Sequence, residues 1–376
     1  MKSLWMLPVF FLLSACFSTS NRIEPAPLKD LTARFEVKEI WSQDFGSIDE
    51  DKYVRLDPVL RGGTLYAVDS DGDLTAFDQD KGDTLWVIDL DREVTAGLGA
   101  SSSNLFLGTR KGQVVAISIE THKVIWQQNV SSQILAPPVT DGETVIVQTI
   151  DGKVHALSEA DGKSLWVYRR DGPSLSLRGT ATPLIVQNAV VTGFSTGTLS
   201  ALSLDKGRQL WEMTVAHPQG RNEIERLIDV DIQPLVKGYL LFVGSYQGKL
   251  VAIDLRSGRK VWSRDISTFT GLAVDDKNIY VTDDSDSVWA LEQATGSTVW
   301  RQVQLQGRIL NAPAVMNGYI IVGDYEGYVH WLSAESGAMV TRYQIGNDPI
   351  RSAAIVDGPV LYVSNIDGDL AAVTLQ

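Results

Sequence analysis

Gly152-Lys-Val-His-Ala-Leu-Ser-Glu-Ala-Asp-Gly-Lys-Ser-Leu-Trp166 opens at a turn glycine and alternates apolar with polar residues. It turns again at Asp161-Gly162 and closes on Leu165-Trp166. The pattern recurs along the chain, with turn positions at Gly72, Gly112, Gly152, Gly197, Gly248, Asp286, Gly327 and Gly368. Fourteen residues after the first six sit Trp86, Trp126, Trp166, Trp211, Trp262 and Trp300. Four residues after each turn position comes alanine, except at Trp331. A period of about 40 residues is the signature of a repeat architecture.

Within one unit, Val154 and Ala156 share a face, while Lys153, His155 and Leu157 share the other. The β-branched run Thr144-Val-Ile-Val-Gln148 precedes them across Asp151-Gly152, which reads as a tight hairpin. The segment around Pro138-Val139 adds an earlier strand, and Ser164 to Val167 a later one. Four short antiparallel strands per unit, repeated around a ring, make a β-propeller blade. A stacked solenoid competes, although its coils are usually shorter. The last turn position, Gly368, is followed by only eight residues, too few for a closing strand. Phe35-Glu-Val-Lys-Glu-Ile-Trp41 reads as that missing strand. The expectation is therefore all-β: an eight-bladed propeller over 35–376, with an N-terminal strand completing the last blade and protecting its edge.

Residues 1–15 carry a lone Lys2 before an apolar core, and read as a signal peptide. Leu13-Ser14-Ala15-Cys16 resembles a bacterial lipoprotein cleavage box, and Cys16 is the only cysteine. The resemblance implies cleavage before Cys16 and acylation of it. Phe17, by the same resemblance, favours the outer membrane. A free buried thiol is the alternative. Residues 16–34, with Pro25 and Pro27, read as a flexible tether. Such a segment spans about 23 Å root-mean-square and about 60 Å fully extended.

The net charge of −13 disfavours generic nucleic-acid binding. Trp41, Trp86, Trp126, Trp166, Trp211, Trp262 and Trp300 read as wedges between blades. Each buries about 150–250 Å² when enclosed. Thr341 stands where the wedge of blade seven is expected, so that junction should be weaker or repacked. Asp69-Ser-Asp71-Gly-Asp73 hints at a calcium loop but lacks the glycine and glutamate positions of an EF-hand, and hairpin-turn chemistry explains it more simply. His122, His155, His217 and His330 are scattered, so no metal site is expected.

The repeat ending seen in Ala252-Ile-Asp-Leu-Arg-Ser-Gly-Arg-Lys-Val-Trp262 and Ala290-Leu-Glu-Gln-Ala-Thr-Gly-Ser-Thr-Val-Trp300 resembles the pyrroloquinoline-quinone dehydrogenases. Many of those place adjacent cysteines over the cofactor and enclose it with long insertions. This chain has no cysteine pair, and its connections are short beside such insertions, so no cofactor is expected.

Trp41 to Pro58 is a long connection but is strongly acidic and sits several blades away; the other two long connections are Trp166 to Pro183 and Trp211 to Pro234. They bracket blade four and should lie side by side on one face. Apolar residues beside charges suit a protein-binding patch. Pro-Ser-Leu-Ser-Leu-Arg-Gly at 173–179 and Glu-Arg-Leu-Ile-Asp-Val-Asp at 225–231, with the lipobox and the ring, resemble the BamB family of outer-membrane β-barrel assembly lipoproteins. The resemblance implies a non-enzymatic scaffold at the periplasmic face of the outer membrane. It implies binding to the periplasmic POTRA domains of BamA, the central barrel subunit, and assistance to unfolded barrel clients. Its partner contacts fall on Leu175, Leu177, Arg178, Asp229 and Asp231. A periplasmic ligand-binding propeller and a quinone-dependent dehydrogenase are the alternative functions.

Overall fold

Eight four-stranded sheets make up the chain, each a meander in which consecutive strands pair antiparallel. A computed structural model describes residues 23–49, 54–170, 180–217 and 228–376. Blades one to seven occupy 59–89, 94–129, 139–169, 184–214, 235–264, 272–302 and 314–344. Blade eight combines 355–375 with the strand Val37–Asp44, which pairs with Asp369–Leu375 at the outer edge. The ring is an eight-bladed propeller, closed by its N-terminal strand as the orphan Trp41 run predicts.

Burial follows position in the blade. The middle strands are buried on both faces, as in Thr64–Val68 and Gln113–Ser118. The outermost strands alternate, as in Ser164–Arg169, because one face packs on the next blade and the other meets water. Ala76, Ala116, Ala156, Ala201, Ala252 and Ala290 each lie opposite the tryptophan of the neighbouring strand. A register shift follows each of these pairs by one residue. Such a bulge bends the strand and increases its twist.

The tryptophans lean onto the next blade in a repeated geometry. Trp41, Trp126, Trp166, Trp262 and Trp300 donate their indole N–H to the carbonyls of Gln79, Glu159, Leu204, Gln293 and Ala334, at 2.7–2.9 Å. Three residues after each of those carbonyls comes a glycine lying under the ring. At Gly162 a Cβ would fall 2.6 Å from the Trp126 ring, and φ is +70°, so both space and backbone demand glycine there. In blade two His122 holds the equivalent position at φ +55°. Its imidazole stacks on Trp86 with centroids 4.6 Å apart.

Blade seven is repacked rather than left short of its wedge. Trp331 lies directly across from Thr341, the reverse of the alanine–tryptophan pair elsewhere. The indole has moved one strand inward and is fully buried among Met316, Val329, Val340 and Leu361.

The tether reading over 16–34 needs correction in its second half. Residues 23–34 are hydrogen-bonded to the ring: the Ala26 N–H donates to Gln306 O at 2.9 Å and the Arg34 N–H to Val340 O at 3.1 Å. A segment whose backbone groups are paired in this way is not a free spacer. Residues 1–22, with the expected signal peptide and Cys16, lie outside the described residues.

Candidate functional site

Every crossover from an outer strand to the next inner strand shares a face with the hairpin turns at Gly72, Gly112 and their equivalents. This is seen where the Leu90 N–H donates to Gly72 O and the Val130 N–H to Gly112 O. The two long crossovers flank blade four on this face, between Arg169 and Leu184 and between Thr214 and Leu235. Leu175, Leu177 and Arg178 lie outside the described residues, as do 171–179 and 218–227 as a whole. The ends of both crossovers are described.

Arg170 fixes the departure of the first. Its Nε donates to Thr196 Oγ1 at 3.2 Å, its guanidinium pairs with Glu212, and its Cζ lies 5.4 Å from the Phe194 ring centroid. All three partners belong to blade four.

The second crossover returns through Ile228-Asp-Val-Asp-Ile232. Period-two alternation sends Ile228, Val230 and Ile232 into the core and the two aspartates to the other side. The segment is clamped from two blades. The Tyr246 N–H donates to Asp229 O at 2.9 Å, and Val230 packs on Gly193, where a Cβ would fall 2.1 Å from Val230 O. Asp229 is only 2% exposed, while Asp231 is half-buried. Asp229 Oδ2 and Asp231 Oδ1 accept no hydrogen bond among the described residues.

Burial raises both carboxyls above the ordinary range, and the Asp231 charge raises Asp229 further. Arg55 opposes this at Asp231. Arg55 lies in the crossover that leads into blade one, and Asp231 in the one that leads into blade five, on opposite sides of a ring of eight. Its Nη1 donates to Thr270 O at 3.1 Å and its Nη2 to Asp57 Oδ2 at 3.2 Å. The guanidinium therefore reaches across the central channel toward the aspartate side. Sequence reasoning missed Arg55, because axial positions do not repeat from blade to blade. Arg170 was visible only as a charge at the loop's start.

The raised Asp229 carboxyl has a consequence with a definite sign. The folded chain keeps a proton that the unfolded chain loses above about pH 4, so this group's contribution to stability falls as pH rises from there through its folded pKa. Asp229→Asn should therefore gain stability relative to the unaltered chain as pH is raised from about 5 to about 8. Denaturation midpoints measured at both pH values test this, and a pH-independent difference would refute it.

Elsewhere the polar clusters are structural. Asp69 Oδ1 accepts the backbone N–H groups of Asp71, Gly72 and Asp73 at 2.8–3.0 Å, so the aspartate run caps a hairpin turn. Among the described residues no group of three or more His, Cys, Asp or Glu is placed to hold a metal ion.

Comparison with known proteins sets this architecture in a family. The family model described as "Outer membrane protein assembly factor BamB" matches residues 35–93, 70–302 and 290–376. The curated protein of that name from Alkalilimnicola ehrlichii is 38% identical over 374 residues, covering 100% of this chain and 97% of its own. The chain belongs to the BamB family. The solved structure of BamB from Moraxella catarrhalis superposes with a TM-score of 0.82 at 26% identity, covering 90% of this chain and 100% of that one. A quinohemoprotein alcohol dehydrogenase from Comamonas testosteroni also superposes, with a TM-score of 0.72 over 90% of this chain and 76% of its own. Its identity of 12% makes that a likeness of fold alone. BamB-family membership thus extends over the whole propeller, both long crossovers included.

Proposed function

We propose that this chain is a scaffold lipoprotein of the outer-membrane β-barrel assembly complex. It is anchored through Cys16 at the periplasmic face and binds the POTRA domains of BamA with the face that carries the two long crossovers. The observation that carries this reading is family membership over nearly the full chain, with relatives named as assembly factors. Leu175 and Leu177 supply apolar area, and Arg178 a planar cation. Asp229 and Asp231 form an acidic pair on the second crossover, with two oxygens unpartnered among the described residues. A guanidinium, from Arg178 or from the partner, suits such a pair, because a bidentate ion pair satisfies charge and hydrogen bonds together. The buried position of Asp229 favours a role in holding the loops in a binding-ready shape. Unfolded barrel clients are the complex's substrate, and the scaffold assists them by positioning the barrel subunit.

The chain acts without catalysis on this reading. Its likeness to quinone enzymes stops at the fold, and its single cysteine precedes the ring. Isothermal titration of the mature chain into BamA's purified periplasmic domains tests the reading. Saturable binding is expected, and heat indistinguishable from dilution would sink it.

A further inference from the structure

Residues 23–34 are built into the ring at the junction of blades six and seven. Gly307, at φ +74°, lies so close to the segment that a Cβ there would fall 2.7 Å from Glu24 O and 2.9 Å from Ile23 O. Arg308 follows it, with its side chain 3% exposed, and its Nη1 donates to Ala26 O at 3.2 Å. The rest of that guanidinium is fixed from blade seven. Its Nε donates to Asp324 Oδ2 at 2.7 Å, it pairs with Glu326, and its Cζ lies 5.1 Å from the Tyr325 ring centroid. His330 Nε2 lies 2.8 Å from the same Asp324 oxygen. Burial works against the Asp324 carboxylate, but hydrogen bonds from His330 and Arg308 outweigh it and hold the carboxyl below its ordinary range. Farther along, Leu28 packs against the Leu305 and Leu310 cluster, and Arg342 Nη2 donates to Lys29 O at 2.8 Å.

These contacts give the segment a direction. Arg34 bonds to Val340 at the start of blade seven's outer strand, beside a turn on the face opposite the crossovers. Ala26 bonds to Gln306 and Arg308, which lie in the crossover between blades six and seven. The chain, followed toward its N-terminus, is thus carried from one face of the ring to the other.

We propose that residues 23–34 are a docked strap, clasped by Gly307 and Arg308, that delivers the N-terminus to the crossover face. On the anchoring reading above, on which this second half rests, it makes the blade six and seven edge of that face membrane-proximal. Only seven backbone steps then separate Cys16 from Ile23, a reach of about 25 Å, against about 60 Å for a free tether. The lipid surface and the two long crossovers are then engaged from the same side of the ring.

Trypsin distinguishes a strap from a spacer, since Lys29 and Arg34 are exposed within it and Arg22 precedes it. The acylated full chain is bound to phosphatidylethanolamine and phosphatidylglycerol vesicles and digested, and the mass of the propeller gives its N-terminus. The unaltered chain should keep 23–34, whether it is released at Ile23 or stays bound. Arg308→Ala should be cut after Lys29 or Arg34 about tenfold faster, because opening of the strap limits cleavage. Ala26→Pro removes one strap donor without touching the ring, and should act in the same direction if Arg308→Ala folds poorly. Cutting after Lys29 at equal rates in all three chains overturns the strap. Energy transfer to headgroup acceptors from a label at Asn347→Cys, on the crossover face, should exceed that from Glu335→Cys, on the opposite face of blade seven. Equal transfer overturns the membrane-proximal edge. Failure to bind vesicles removes the anchor instead, and the same digestion in solution then judges the strap alone.

Discussion

Trp126→Ala is expected to cost about 3–5 kcal/mol of stability, the range for removing a buried tryptophan side chain. The ring is 9% exposed, packs on Phe106 with centroids 5.8 Å apart, and faces Gly162 of the next blade. Glycine has no side chain that can move into the vacated space, so the cavity persists. The substitution also strips a 2.7 Å hydrogen bond from the buried carbonyl of Glu159. That carbonyl then stays buried without its donor, a further cost. A chemical denaturation midpoint well below that of the unaltered chain is the expected reading. An unchanged midpoint would show that the wedge between blades two and three carries no stability.

The blade was legible because its signal repeats. Turn position, alanine and tryptophan recur in register, and the orphan Trp41 strand had one place to go. What lies between repeats was harder to read. The glycine under every wedge tryptophan but Trp86 looked like a simple turn residue, since its partner sits about forty positions earlier in the chain. Trp331 and Thr341 were both visible as departures from the pattern. Their reciprocity appears only when the two strands are paired, because it is a cross-strand relation. Arg55 and Arg308 act at the axis and at one blade junction, where nothing repeats. The docked strap was hidden for a different reason. Ser, Pro and charged residues compose a flexible linker and a surface-bound extended segment alike, and only the ring's Gly307, Arg308 and Arg342 distinguish them. Within the candidate site, the period-two pairing of Asp229 and Asp231 followed from the sequence. The depth at which Asp229 sits did not.

Cys16→Ser should release the chain from the membrane fraction or leave it uncleaved. On the proposed anchoring, the thiol would carry the acyl chains, and serine at that position would leave the chain uncleaved or unmodified. Each buried methylene contributes about 0.8 kcal/mol, so loss of several chains removes nearly all the affinity for the bilayer. Among the described residues no helix is long and apolar enough to cross a membrane. Fractionation and the mass of the N-terminal peptide read the outcome together. Normal partitioning of the serine variant with a processed, acylated N-terminus would rule out Cys16 as the anchor.

The central claim is that the long-crossover face binds the barrel subunit. Truncating a central contact typically costs about 2 kcal/mol or more, roughly a thirtyfold loss of affinity. Leu175→Ala, Arg178→Ala and Asp229→Ala should each show a loss of about that size. Their folds should stay intact, since none is a blade wedge. Glu120→Ala is the control: it is exposed, and it lies on a turn of blade two on the opposite face. Titration of these four variants into BamA's periplasmic domains decides the matter. The account predicts weakened binding by the three site variants and unchanged binding by the control, whereas full-strength binding by all four would contradict it.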